Sequence, residues 1–227
     1  MIKTSLCLSG QARLLDKCFP FLKKHIIDVV NCDIFAHFCD DENIINNNLN
    51  CIDFQNIVIE KDVYIDEKNY NNVLSGGLTP DYTQRILQQL SSITKSNALK
   101  TKYENEKDFE YDLVIRARCD SFFNKSIFPS FVYVGKKTVC FSVEEIDKEN
   151  IYIPSFASWG GYNDRFAFGN SENMNLYASL SSQIDSYIKE GVSFHPETLL
   201  KAHLDKYAKV VNTDFTFGTL RKDGTFV

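Results

Sequence analysis

Arg116, Arg118 and Asp120 alternate along YDLVIRARCD, where an apolar run at residues 111–115 turns polar. If the run is a β-strand, alternate side chains share a face. Arg116, Arg118 and Asp120 then point one way, and Ala117 and Cys119 the other. Guanidinium groups pair bidentately with phosphate oxygens, and a carboxylate offers hard oxygen ligation to Mg2+ or Mn2+. The spacing therefore suits a diphosphate and its divalent ion. The same residues also read as an Arg–Asp network capping a sheet edge, although buried pairs of that kind are poor sources of net stability.

Three other stretches carry candidate chemistry. Ser9-Gly10-Gln11-Ala12-Arg13 follows the first apolar run. Its glycine lets the backbone approach a ligand, its free N–H groups can bind an anion, and Arg13 can grip a phosphate. An ordinary βα turn has the same composition, and neither GxGxxG nor GxxxxGK[ST] is present to sharpen the reading. Trp159-Gly160-Gly161-Tyr162-Asn163-Asp164-Arg165 contains the only tryptophan. Aromatic faces beside glycines suit a sugar ring as well as a packing partner, and Asp164 is placed to act as a base or to anchor hydroxyls. His195-Pro196-Glu197 opens a predicted helix. His195 is a candidate metal ligand or phosphate donor, and Glu197 reads first as a charge that stabilises the helix N-terminus. His37 reads as a satisfied polar residue. No GxSxG and no Cys–His–acid spacing suggests a hydrolase.

The elements that must position these groups follow from periodicity. Strands are predicted at Ile2–Leu8, Cys32–Phe38, Asn56–Glu60, Tyr111–Ile115, Thr138–Val143 and Val210–Leu220, with Tyr152–Phe168 a mixed loop-and-strand region. Helices are predicted from Pro20, in the first turn, to about Val30, and from Asp81 to Glu104. Two more cover Met174–Glu190 and Pro196–Tyr207. The Asn-rich DDENIINNNLN reads as an exposed loop. Strand–helix alternation with short connections predicts an α/β fold with a mostly parallel central sheet flanked by helices. In such sheets ligands bind beyond the carboxyl ends of the strands, where the first two clusters fall.

A chain of 227 residues with 44% hydrophobic and 24% charged residues is long enough to bury a large core, and it predicts one domain. A net charge of −5 argues against general binding to nucleic acid or an anionic membrane. Seven cysteines without a CxxC pair predict reduced thiols, not a disulfide frame or a zinc cluster. The N-terminal apolar stretch is broken by Ser9, Gln11, Arg13 and Asp16, so it does not read as a signal peptide. No run approaches the roughly 18 apolar residues of a membrane span. The expected location is cytoplasmic.

Taken in order, LCLSGQAR, CDIFAHF, LQQLSSITKSNALKTKYE, YDLVIRARCD, GGYNDRFAFGNSENMNLY and FHPETLLKAHL resemble a family of GT-A-like glycosyltransferases. That family occurs in bacterial capsule or lipopolysaccharide loci and in large DNA viruses. The resemblance implies a single GT-A-like (Rossmann-like) domain, with a nucleotide-binding part at about 1–125 and an acceptor part at about 126–227. It implies transfer of a sugar from a nucleotide-diphosphate donor to a glycan acceptor in polysaccharide biosynthesis. The donor would be held by Ser9, Gly10, Gln11, Arg13, Arg116, Arg118 and Asp120, and the acceptor by Trp159, Asn163 and Arg165. Asp164 and Glu197 would be catalytic. Asp120 stands where the family carries the last carboxylate of its DxD metal motif, and here Arg118 replaces the first. Mn2+ or Mg2+ would then rest on Asp120 and His195, or the arginines would take over the cation's role. Two alternatives remain: a non-catalytic nucleotide- or glycan-binding module of a larger assembly, and a nucleotidyltransferase, which would need further clustered carboxylates.

Overall fold

The computed structural model describes residues 2–12, 14–40, 49, 52–61, 79–134, 137–221 and 223–225. Its strands are β1 (Thr4–Gln11), β2 (Cys32–Asp40), β3 (Asn56–Lys61), β4 (Leu113–Arg118), β5 (Ser121–Phe122) and β6 (Ser130–Val134). These are followed by β7 (Lys137–Phe141), β8 (Asn150–Pro154), β9 (Phe166–Gly169), β10 (Lys209–Thr213) and β11 (Gly218–Thr219). The α-helices that matter for the site are α1 (Leu15–Leu22), α2 (Pro80–Lys107), α3 (Ser171–Ala178), α4 (Ile184–Lys189) and α5 (Pro196–Tyr207).

Nine strands form one sheet in the order β3-β2-β1-β4-β9-β8-β10-β6-β7, and β11 pairs with β5 in a small second sheet. Strands β3, β2, β1 and β4 are parallel neighbours, as are β8 and β10. The other four neighbouring pairs of the large sheet are antiparallel. The fold is therefore α/β, but the sheet is mixed and not mostly parallel as expected. Parallel pairing needs a long crossover, which α2 provides between β3 and β4. The segment from β8 to β9 contains no helix, so β9 turns back antiparallel to both β8 and β4.

The two faces of the sheet bury separate cores. Leu6, Leu8, Ile34, Ala36, Phe38, Leu113, Ile115 and Ala117 pack with α1 and an aromatic cluster that includes Phe123, Phe166 and Phe168. Cys7, Phe35, Val114 and Ala167 face α2, α3 and α5 through Ile86, Leu90, Ile93, Tyr177, Leu199 and Leu200. Alternation on β4 thus places Val114 and Arg116 towards the helical face, and Ala117 and Cys119 towards the aromatic one.

Several predicted boundaries shift for physical reasons. Strand β4 continues past Ile115 because Arg116 pairs with Cys7 and Ala167, and Arg118 with Ser9. A ladder on both sides overrides the polarity of the side chains. Helix α1 begins at Leu15, so Pro20 lies inside it; the widened π-turn Lys23–Ile27 follows, and the helix ends at Val30. The segment expected as one helix to Glu190 is broken into α3, a 3-10 turn (Ser179–Gln183) and α4. There Ser179 and Ser182 donate to the carbonyls of Leu176 and Ser179 (2.8 Å each), competing with the backbone ladder. The closing strand is likewise two strands, β10 and β11.

No helix among the described residues is long and apolar enough to cross a membrane. Cys7, Cys18, Cys32, Cys39, Cys119 and Cys140 are free thiols, and of these only Cys140 is exposed. Cys51 and most of the Asn-rich loop lie outside the described residues.

Candidate functional site

Arg116 occupies a core position. It is 2% exposed, and none of its three guanidinium nitrogens has a hydrogen-bond partner. Burial holds it below the usual arginine range, while Tyr177 and Asp164 act in the opposite sense. Arg118, one pleat further along, reaches the partly exposed edge. Its Nε and Nη2 donate to Asp120 Oδ1 (2.9 Å) and Oδ2 (2.7 Å), a bidentate pair. Burial alone would lower Arg118, but the charge and hydrogen bonds of Asp120 outweigh it and hold the guanidinium above its ordinary range. The backbone of Asp120 ties this edge to the small sheet, its carbonyl accepting from Leu220 N (2.9 Å).

The third cluster arrives beside the second through strand pairing. Phe166 on β9 lies opposite Ala117 on β4, so Asp164 and Arg165, just before β9, flank the carboxyl end of β4. Asp164 is 5% exposed and accepts a short hydrogen bond from Gln89 Nε2 on α2. The Tyr177 hydroxyl donates to its carbonyl (3.2 Å). Arg165 points towards Thr219 Oγ1 (3.5 Å) on β11. Asn163, expected to bind an acceptor, is fully buried. Its Nδ2 donates to Phe156 O and its Oδ1 accepts from Arg165 N, both at 2.9 Å, so it braces the turn that carries Asp164.

Glu197 joins the cluster from the first turn of α5. The Trp159–Asn163 loop holds it there: Tyr162 N donates to Glu197 O (3.1 Å), and Gly161 rests on the same peptide. The Glu197 carboxyl is buried at 4% exposure. His195 Nδ1 lies 2.7 Å from its Oε2 but off the line of a hydrogen bond, so both atoms lack a hydrogen-bond partner. Burial first, and the charge of Asp164 second, raise the Glu197 pKa to about 7. One carboxylate beside another in a desolvated setting keeps its proton to higher pH. Trp159, at the start of that loop, is 70% exposed and has a left-handed backbone (φ 41°).

The first cluster adjoins Arg118 as well. Ser9 pairs in register with Arg118 on one side and His37 on the other. It shares the helical face with Arg116 and Arg118, and its buried Oγ has no hydrogen-bond partner. Gly10 takes a φ of +108°, which glycine tolerates, and its N–H donates to Ser92 Oγ (2.8 Å) on α2. Ser92 also contacts His37 Nδ1 (2.8 Å), and His37 Nε2 reaches Glu60 (3.0 Å). His37 is thus the satisfied polar residue the sequence suggested. Gln11 ends β1 beside Cys39. Arg13 lies outside the described residues.

Asp120 and His195 were the expected metal ligands. Both Asp120 oxygens are already committed to Arg118, and His195 turns its Nδ1 to Glu197. As it stands this donor set does not fit a divalent ion. Among the described residues no group of three or more His, Cys, Asp and Glu side chains is placed to hold one. An ion shared with a diphosphate needs only one or two protein carboxylates, so the pairing of Asp120 is the more telling observation.

Behind Asp164 lies a cavity of about 10 Å³, lined by Leu90, Ile93, Tyr177, Ser181, Pro196 and Leu200 among others. It has room for roughly one water molecule. A recess of about 310 Å³ at Ile2, Asp112, Val143 and Lys148 lies by the amino end of β4, away from this cluster.

Gln89, Ser92, Tyr177 and Tyr82 were not anticipated. Tyr82 feels Glu197 and Asp164: burial first, then these charges, raise its hydroxyl pKa. A signal existed for Ser92, because it interrupts the buried stripe of α2 with a polar group, as do Ser96, Asn97, Lys100 and Glu104. Those further along serve another purpose. Lys100, Glu104, Ser171 and Asn175 form a fully bonded network joining α2 to α3.

Fold and site together define an α/β protein with a buried cation–carboxylate cluster at the carboxyl end of β1 and β4. A family model described as a domain of unknown function (DUF7796) matches residues 1–220, and the chain belongs to that family. No curated protein matches the chain.

Proposed function

We propose that the protein is a GT-A-like glycosyltransferase that transfers a sugar from a nucleotide-diphosphate donor to a glycan acceptor. The observation that carries this reading is the convergence of three sequence-distant segments on one sheet edge. Arg116 and Arg118 supply fixed positive charge, and the Glu197 carboxyl, buried beside the charge of Asp164, has its pKa raised to about 7. Fixed cations favour a leaving diphosphate as charge develops on it. A carboxyl with a pKa of about 7 is matched to proton transfer at neutral pH.

In this reading Arg118, partly exposed, contacts the phosphates, and Arg116 supports it from beneath. Asp164 already accepts from Gln89 and lies near both arginines, so its carboxylate is engaged within the protein. Glu197 takes the proton of the acceptor hydroxyl as its oxygen bonds to the anomeric carbon. The bond from that carbon to the phosphate oxygen breaks, and the diphosphate leaves with the electron pair. Trp159 offers its exposed face to a sugar ring.

The sealing of Asp164 and Glu197, at 5% and 4% exposure, favours the second reading, a module that binds nucleotide or glycan without catalysis. Calorimetry with UDP-, GDP- and dTDP-linked sugars tests the first step common to both. Binding of at least one donor, lost in Arg118→Ala, supports the site. A folded protein that binds none of them removes the enzyme reading.

A further inference from the structure

The pair between Arg118 and Asp120 has the geometry of a ligand contact made by the protein with itself. A carboxylate held side-on by Nε and Nη2 occupies the fork that a phosphate oxygen pair would take. The pair sits at the partly exposed edge, with side chains 31% and 21% exposed, whereas Arg116 beneath it is sealed. Two groups on the same face have no hydrogen-bond partner: the Arg116 guanidinium and the Ser9 hydroxyl, on the strand paired with Arg118. A buried guanidinium and hydroxyl left unpaired are costly, and an anion seated at Arg118 would bring negative charge beside both.

We infer that Asp120 is an internal anionic placeholder: it occupies Arg118 until the diphosphate of a nucleotide-linked ligand displaces it, so that guanidinium groups and not a divalent cation bind the phosphates. The inference rests on the sugar-nucleotide reading above and adds how the diphosphate is recognised. A diphosphate brings more negative charge and more acceptor oxygens than one carboxylate, so the exchange at Arg118 runs in its favour. Once displaced, Asp120 is near enough to the surface to be solvated. A metal ligand at the same position would act in the opposite sense, because removing its charge would weaken the ligand's hold.

The test is calorimetry of the full chain with inorganic pyrophosphate, UDP, GDP and dTDP, in EDTA and in Mn2+, for wild type, Asp120→Asn and Arg118→Met. The placeholder predicts binding in EDTA equal to that in Mn2+. It predicts roughly two- to fivefold tighter binding by Asp120→Asn, the scale on which one partly exposed ion pair competes. Arg118→Met should lose about tenfold or more. Binding that requires Mn2+, or that Asp120→Asn weakens or leaves unchanged, overturns the placeholder while the sugar-nucleotide reading stands. No binding of any probe by wild type or Asp120→Asn, in either buffer, overturns both.

Discussion

Gly161 lies so close to the main chain of Glu197 that a Cβ on it would fall 1.9 Å from the Glu197 carbonyl oxygen. Both neighbours in that contact are backbone, so no side-chain rotation relieves it. The glycine is what lets the Trp159–Asn163 loop and the start of α5 share one hydrogen bond and hold the carboxyl pair together. Gly161→Ala should therefore cost about 2–3 kcal/mol. For a chain of this size that lowers Tm by roughly 5–10 °C in scanning calorimetry. An unchanged Tm would contradict the packing described for this loop.

Glu197 gives the protein a pH-dependent stability of defined sign. Its folded pKa of about 7 lies above the ordinary 4.5, so the native state keeps a proton that the unfolded chain releases. Stability from this group is full below about pH 4.5 and falls as pH rises towards 7. The groups around it are Asp164, Arg165, Arg118 and His195. Glu197→Gln should flatten this slope and stabilise the protein above pH 7, by on the order of 3 kcal/mol at most. Urea unfolding at pH 5 and pH 8 checks it. A variant no more stable than wild type at pH 8 would contradict the buried, raised carboxyl.

The neighbouring charge is separable from the burial. Asp164→Asn removes the negative group that adds to the Glu197 shift, so the acid limb of the pH–rate profile should move to lower pH. It should not reach the ordinary glutamate value, because burial, the larger cause, remains. Glu197→Gln should bind donor normally and lose turnover by about 100-fold or more. Full turnover in Glu197→Gln would remove its role as base.

Trp159 is exposed and packs little, so Trp159→Ala should change stability by no more than about 0.5 kcal/mol. Its expected effect is a raised KM for acceptor with donor affinity kept, the pattern of a lost stacking face. Donor affinity falling with Tm unchanged would place the tryptophan on the nucleotide side instead.

Much of the site was legible in the sequence because strand alternation is strict. Arg116 and Arg118 share a face for the same reason that Ala117 and Cys119 share the other. The helix that begins at Pro196 was readable from its proline, and it brings Glu197 to the site from its first turn. What sequence spacing does not encode is which distant segment pairs with which. Nothing local says that Phe166 lies opposite Ala117, so the meeting of Asp164 with Arg116 was hidden, and with it the antiparallel half of the sheet. The length of β4 was underestimated because arginines look like the end of a buried strand. Here they are inside it, and that is why Arg116 is sealed while only Arg118 reaches the edge. Asn163 looked like a ligand-binding amide, yet its hydrogen bonds serve the turn beneath.

The most direct measurement is release of nucleoside diphosphate from a panel of UDP-, GDP- and dTDP-linked sugars, followed by chromatography for wild type and Glu197→Gln. Sugar transfer at this site predicts that wild type releases the diphosphate of at least one donor, to an added glycan or slowly to water, and that the variant binds that donor without releasing it. Binding by both proteins with release by neither would contradict the enzyme account and leave a binding module in its place.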